Sequence, residues 1–401
     1  MNKIITDQEK IKALFSHNVE EVIIKEDLEK KLNSGKQLRI KLGCDPSRPD
    51  LHLGHSVVLR KLKEFQDLGH QVVFIIGDST GMVGDPSGKS KTRPVISSEK
   101  VKENAQSYFE QVAKILDLKK TEIRYNSEWF SKMSFEDILT LTGRFTVARI
   151  LERDDFSKRL KGGIDIGVNE IMYPVMQAYD SIMIEADVEI GGTDQKFNML
   201  AGRGLQKKMG YPEQNVITCP LLVGLDGKEK MSKSLDNYIG ITESPDSMFG
   251  KIMSISDEMI FYYFKLLTDL SEVELQAIET DLKDASNNPR DLKVRLAKDI
   301  IEIYHNKTEA ENAEEEFNKI FRDKNKPTDI ENCKLKAESN KLVDLLVEVK
   351  LADSKGSARR LVQQGGVKID DVVQKDFEIE IETKDGMIVQ VGKRRFVKIV
   401  K

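Results

Sequence analysis

Residues 38–77 read LRIKLGCDPSRPDLHLGHSVVLRKLKEFQDLGHQVVFIIG, and the fold turns on this stretch. Its two ends, 38–43 (LRIKLG) and 71–77 (QVVFIIG), are apolar runs of strand length. Between them SVVLRKLKEFQDLG sets Val57, Leu59, Leu62, Phe65 and Leu68 at helical spacing, with Gly69 as a stop. Strand, helix, strand is the building block of a parallel sheet with right-handed crossovers. Working outward, TEIRYN (121–126), VEIGG (188–192) and VITCPLLVG (216–224) read as further strands, with helices around 99–117 and 135–152. The expectation is a doubly wound, nucleotide-binding α/β fold over residues 1–226.

A chain of 401 residues has room for more than this. Residues 245–321 are poor in glycine and rich in Glu, Lys, Leu and Ile, so 227–325 is expected to be a loop followed by a helical domain. The polar stretch 326–340, which carries Pro327, reads as a linker. Residues 341–401 read as a small α+β domain, with two short helices (KLVDLLVEVK and SKGSARRLVQQG) followed by strand-like pieces.

Composition narrows the class. Hydrophobic residues make up 39% and charged residues 32%, which suits a globular protein with much solvated surface. No apolar run approaches the roughly 20 residues of a membrane span, and the start, MNKIITDQEKIK, is too polar for a signal peptide. The scattered Cys44, Cys219 and Cys333 indicate neither a disulfide framework nor a Cys-rich metal site, which suits a reducing cytoplasm. The net charge of −4 is uneven: residues 341–401 hold 13 Lys and Arg against 10 Asp and Glu, so a basic tail follows an acidic body. Such a tail suits a polyanion, although chance alone also produces it.

Several motifs carry chemistry. GDPSGKS (84–90) has the glycines, lysine and hydroxyl of a phosphate-cradling loop, but G-x-x-x-x-G-K-[ST] requires glycine at 83, where Val83 stands, and Pro86 interrupts the arc. It is not a P-loop. In DLHLGH (50–55), His52 and His55 are about one helical turn apart where the first strand hands over to its helix, so both imidazoles project on one side. A helix start favours anions, and Gly54 would let a planar ligand lie close to the backbone. On these residues alone a structural histidine pair or a metal site stays open, though a metalloprotease glutamate and a third ligand are both missing. GKEKMSKSLDN (227–237) sets Lys230 and Lys233 beside Ser232 and Ser234, a cationic loop able to follow moving charge.

Together, HLGH and KMSKS resemble the two signatures of class I aminoacyl-tRNA synthetases, HLGH with Leu for the usual Ile and KMSKS letter for letter. YPVMQAYDS (173–181) is similar to the pocket helix of the tyrosyl members, with Tyr173, Gln177 and Asp180 on one helical face. The resemblance implies a Rossmann-type fold, ATP and L-tyrosine as substrates with Mg²⁺ assisting, transfer of tyrosine to tRNA(Tyr), a homodimer and a cytoplasmic location. The alternatives are a tryptophanyl enzyme and a non-catalytic RNA-binding relative.

Residue by residue, the resemblance implies catalytic roles for His52, His55, Lys230 and Lys233, which would neutralise the pentacoordinate phosphorus and pyrophosphate. Asp45, Ser47, Gly54, Lys89, Arg93, Gly192 and Asp194 would contact ATP. Asp180 would take the phenol of tyrosine, while Tyr173, Gln177 and Asp85 would take its ammonium. Gln195 would lie near its carboxylate, with Gly43 and Asn126 also in the pocket. No resident metal is implied. The tail resembles a small RNA-binding domain first named for a ribosomal protein, in which Ser354, Lys355, Arg359 and Arg360 would face RNA and Gly365–Gly366 form a turn. There is one departure: Lys41 stands where one branch of the family has a second tyrosine against the substrate hydroxyl.

Overall fold

The structure, a computed structural model, describes residues 4–46, 50–86, 98–321, 330–335, 339–392 and 395–400. The chain divides into two compact units, residues 1–244 with 251–304, and residues 245–250 with 305–401.

The first unit is built on a six-stranded sheet. Its strands are β1 (Glu21–Ile23), β2 (Arg39–Cys44), β3 (Gln71–Ile76), β4 (Thr121–Tyr125), β5 (Val188–Gly192) and β6 (Asn215–Cys219), in the order β1-β6-β5-β2-β3-β4. All neighbours pair in parallel except β1, which runs antiparallel to β6 along one edge. Helices cover both faces, so β3 is apolar from Val72 to Ile76. In β3, Val72, Val73, Phe74, Ile75 and Ile76 are all buried, each contributing about 1.5–3 kcal/mol relative to exposure. The helix between β2 and β3 spans Leu53–Asp67 and buries Val57, Leu59, Leu62 and Phe65, as the spacing predicts.

Three expectations change. The helix expected over 135–152 is two helices, Phe135–Thr142 and Val147–Leu151, because Gly143 caps the first and Thr146 starts the second with its hydroxyl on the Arg149 amide. The strand expected over 216–224 ends at Cys219, since Pro220 cannot donate to a ladder. The domain boundary at 226 falls inside a turn that joins its two sides, where Met231 N donates to Leu222 O at 2.7 Å and Gly224 N to Glu229 O at 2.8 Å. The helices Ile260–Leu267, Glu272–Lys283 and Pro289–Tyr304 belong to this same unit.

The second unit contains the helix Lys307–Phe321 and two small sheets. Its strands are β7 (Glu331–Lys334), β8 (Ser339–Lys341), β9 (Val367–Ile369), β10 (Val372–Val373), β11 (Glu380–Glu382), β12 (Ile388–Val391) and β13 (Arg395–Val400). Five form one sheet, in the order β10-β9-β12-β13-β7, and β11 pairs with β8. The stretch expected to be a linker therefore supplies two strands: β7 joins β13 in parallel, register Val397 with Glu331. Leu342, Leu345, Leu346, Val362, Val389 and Ile399 close the core beneath.

Candidate active site

Strand order reverses between β2 and β5, so the chain leaves their carboxyl ends in opposite directions and opens a crevice, the usual ligand position in a doubly wound sheet. Two cavities meet there. A deep one of about 210 Å³ runs between β2, β5 and the helix Val168–Met183. A wider cleft of about 680 Å³ lies outside it, reaching the Leu53–Asp67 helix and residues 230–234. Gly43, Asp45, His55 and Gln195 line both.

The histidine pair sits in the wall of the cleft. His52 caps the Leu53–Asp67 helix, its Nδ1 accepting from Gly54 N at 3.2 Å, and its own N–H reaches His55 Nδ1 at 3.3 Å. The two rings lie 3.9 Å apart. With Nδ1 accepting, each imidazole carries its proton on Nε2. Burial pushes His55 down to about 3 and His52 well below the ordinary histidine value, with Lys233 and Lys230 adding to both. Both rings are therefore neutral N–H donors, and the positive charge expected of them is absent. Gly54 also has another use: a Cβ there would stand 3.0 Å from the His52 ring.

The lysine loop faces the histidines. Lys230 Nζ lies 2.6 Å from Asp194 Oδ2, and Lys233 Nζ lies 5.5 Å from the centre of the Tyr108 ring. Buried Asn237 staples the loop, accepting from Ser232 N at 2.7 Å and donating to Asp226 at 2.6 Å and to Lys230 O at 3.2 Å. At Gly192 a Cβ would come within 2.7 Å of Asp194 Oδ1. Burial pushes the Cys44 thiol up to about 12, so it is an inert part of the wall.

In the deep cavity Tyr173, Gln177 and Asp180 come together as the helical spacing predicts. Asp180 is buried, and its carboxylate accepts from Trp129 Nε1 at 3.0 Å and Asn126 Nδ2 at 3.4 Å. Burial pushes its carboxyl up to about 7, against the opposing pull of Lys41 and these two donors. Tyr173 donates its hydroxyl to Asp45 Oδ2 at 2.8 Å and Thr80 donates to Asp45 Oδ1 at 2.7 Å, so Asp45 braces the cavity wall. Gly77 makes this possible, because a Cβ there would fall 2.0 Å from Asp45 Oδ1. Asp85 accepts from Gln195 Nε2 at 2.7 Å, and the Arg153 guanidinium lies 3.5 Å from its other oxygen.

Residues 33–322 match the family model described as tRNA synthetases class I (W and Y), and residues 323–399 match a tyrosine–tRNA ligase SYY-like C-terminal domain. A tyrosine–tRNA ligase of Thermotoga maritima is 50% identical over 395 residues, 98% of this chain and 98% of that protein. Tyrosine–tRNA ligase 2 of Clostridium acetobutylicum is 50% identical over 402 residues, 99% of each. The chain belongs to the tyrosine–tRNA ligases. The fold agrees: a C-terminally truncated mitochondrial tyrosyl-tRNA synthetase from Aspergillus nidulans superposes with a TM-score of 0.66 at 24% identity, covering 79% of this chain and 95% of that one. A tyrosyl-tRNA synthetase from Archaeoglobus fulgidus, solved with L-tyrosine, gives 0.62 at 24% identity, covering 76% and 98%.

Against this family background, the ATP residues expected at Ser47, Lys89 and Arg93 lie outside the described residues. Lys41 is buried, its ammonium bonded to Ser181 Oγ at 2.7 Å, and it is not among the residues lining the cavity. Ser354, Lys355, Arg359 and Arg360 are all exposed in the second unit. Ser354 is committed to capping the helix Lys355–Gln363, accepting from Ser357 N at 3.2 Å, while Lys355 pairs with Asp344 at 2.7 Å and Arg359 lies 5.6 Å over the Phe377 ring. Gly365 has φ +69°, as the turn there requires. Among the described residues no group of three or more His, Cys, Asp or Glu could hold a metal ion.

The sequence reading missed Trp129, Arg153, Asn237 and Gly77. Trp129 is the single tryptophan of the chain and directly follows the expected pocket residue Asn126 by three positions, which is the signal that could have found it. Arg153 reaches Asp85 and Gly77 makes room for Asp45 across more than 30 residues of chain. Asn237 acts on residues 5 to 11 positions before it inside an irregular loop, where no periodic pattern points.

Proposed function

We infer that this tyrosine–tRNA ligase works by the class I adenylation route, with the deep cavity for tyrosine and the outer cleft for ATP. The observation that carries this reading is a small polar cavity, floored by Asp180, opening into the cleft where His52, His55, Lys230 and Lys233 converge. At about 210 Å³ the cavity is below the roughly 300–1,000 Å³ of drug-sized ligand sites, so it suits an amino acid and excludes a nucleotide. The buried Asp180 carboxylate takes one N–H on each oxygen and keeps acceptor capacity to spare, which a phenol hydroxyl meets by donating to it. An analogue without that hydroxyl leaves this capacity unmet in a buried site, which is how this enzyme class rejects phenylalanine.

The tyrosine carboxylate attacks the α-phosphorus in line, forming tyrosyl-adenylate and releasing pyrophosphate. The tRNA 3′-terminal hydroxyl then takes the tyrosyl group as the acyl–phosphate bond breaks and AMP leaves. No protein nucleophile is needed, and the protein contributes position and charge. The neutral His52 and His55 donate Nε2–H to phosphate oxygens. Lys230 and Lys233 bring the positive charge, Lys230 leaving Asp194 as it does so. Asp85, Tyr173 and Gln177 hold the tyrosine ammonium. Mg²⁺ enters this reading as a companion of the triphosphate.

The second unit, with Arg359 and Arg360 exposed, takes tRNA phosphates. A homodimer is supported by the exposed apolar side chains Phe135, Leu139, Val147, Leu160 and Val168, which a partner surface would cover. No helix among the described residues is long and apolar enough to cross a membrane, and we place the reaction in the cytoplasm. The deciding experiment is amino-acid-dependent ATP–pyrophosphate exchange with all twenty amino acids and no tRNA. Exchange with tyrosine alone is expected; exchange with tryptophan alone, or with none, would sink the reading.

A further inference from the structure

The buried polar cluster beneath the deep cavity carries a role beyond support. Lys41 on β2 and Glu189 on β5 face each other at 2.9 Å, with side chains 0% and 2% exposed. Two charges this deep are costly unless every donor and acceptor is used. Here they are used. The Lys41 ammonium has three N–H groups, and it meets Glu189 Oε1, Gln177 O at 2.8 Å and Ser181 Oγ at 2.7 Å. Glu189 Oε2 accepts from Ser181 Oγ at 3.2 Å and Gln214 Nε2 at 2.5 Å. Gly202 leaves room for the cluster, since a Cβ there would stand 2.9 Å from Gln214 and 3.0 Å from Ser181 Oγ.

Glu189 Oε1 accepts one more bond, from the Gln177 side chain at 3.1 Å. An ionised carboxylate only accepts, so the Gln177 atom facing it has to be the amide nitrogen. The amide oxygen is then turned the other way. Gln177 and Glu189 both line the deep cavity, whereas Lys41 lies behind it. We propose that the Lys41–Glu189 pair is a positioning device that locks the Gln177 amide with its oxygen toward the bound amino acid, so that the cavity demands a ligand with an α-ammonium. Lys41 pairs with Glu189 and holds the Gln177 backbone, and Glu189 fixes the amide. This rests on the tyrosine reading of the cavity.

The test compares two ligands by calorimetry, L-tyrosine and 3-(4-hydroxyphenyl)propanoate, which lacks only the ammonium. The unaltered protein is expected to prefer tyrosine by about tenfold to a hundredfold, the usual worth of a hydrogen bond to a charged group. In the double variant Lys41→Met/Glu189→Met, which leaves no orphan charge, tyrosine affinity should fall about tenfold while the propanoate changes less than about threefold. Glu189→Gln keeps an amide oxygen able to face both Lys41 and Gln177, and is expected to preserve the preference. Equal losses for both ligands in the double variant, no loss for either, or a lost preference in Glu189→Gln would each overturn the proposal. So would an unaltered protein that binds both ligands equally, whatever the variants do. Binding of neither ligand by the unaltered protein would instead overturn the tyrosine reading itself.

Discussion

The Lys41 side chain is 0% exposed and its ammonium is surrounded by three acceptors, whereas the Lys230 side chain is 36% exposed and meets Asp194 across a loop. The same chemical group serves a deep cavity in one case and an open cleft in the other. Around Lys41 the donors and acceptors pair off inside the protein, which makes the cavity wall rigid. Around Lys230 and Lys233 the charges are half solvated and paired with groups they can leave. A site that must recognise one side chain benefits from fixed dipoles, and a site that must follow a departing pyrophosphate benefits from charges free to move. The chain separates the two demands into adjoining spaces.

The sharpest way to break the comparison is at the mobile end. Lys233→Ala is expected to lower the turnover number of ATP–pyrophosphate exchange about a hundred- to a thousandfold, as removal of a transition-state donor does, with the tyrosine KM changed less than threefold (about 0.6 kcal/mol). An unchanged turnover would show that the loop charges are not catalytic. At the rigid end, Asp180→Asn should act on binding: the tyrosine KM should rise about ten- to a hundredfold. A loss confined to turnover would count against Asp180 as the phenol partner.

Acidity sharpens the same contrast. Because burial holds the Asp180 carboxyl at about 7, tyrosine affinity should weaken by up to about tenfold per unit as pH falls below 7, and Asp180→Asn should flatten that profile. The sign for stability follows from the raised value: the ligand-free protein gains from a neutral carboxyl below its unfolded value of 3.8, and that gain is lost as pH rises through about 7. His52 and His55, held far below the ordinary histidine value, stay neutral and should add nothing to the affinity profile between pH 5 and 8. Each should cost stability as pH falls below 6.5, where the unfolded chain takes up protons that the folded one does not. The smallest effect belongs to the second unit. Arg359→Ala/Arg360→Ala should weaken tRNA binding several-fold and lower its salt slope by about one per arginine, leaving exchange without tRNA unchanged. A slope that stays put in filter binding would remove those residues from the RNA face.

Much of the catalytic unit was legible because its signals are local. The β2–helix–β3 stretch shows its periods within 40 residues, and Tyr173, Gln177 and Asp180 share a face by helical arithmetic alone. What escaped depends on partners far along the chain. Trp129 reaches Asp180 across 51 residues and Lys41 reaches Ser181 across 140. Nothing near Lys41 says that Glu189 waits for it, so its departure from the family pattern looked like a missing contact when it is a buried pair. β1 is three residues long and antiparallel, too short to show a period. The split at Gly143 was within reach, since Ser134 with Asp137 and then Thr146 are ordinary helix starts. The strands in 326–340 were not, because β7 is polar and earns its place from β13.

That last pairing bears on how the protein is made. β7 leaves the ribosome about sixty residues before β13, the strand it needs, and β13 lies between β12 and β7 in the finished sheet. During synthesis β7 has to wait with its edge unsatisfied while residues 339–392 emerge, whereas the first unit already has its parallel strands. The birth of this molecule is therefore staggered, and a chain stalled before β13 emerges would carry a folded first unit tethered to an open strand.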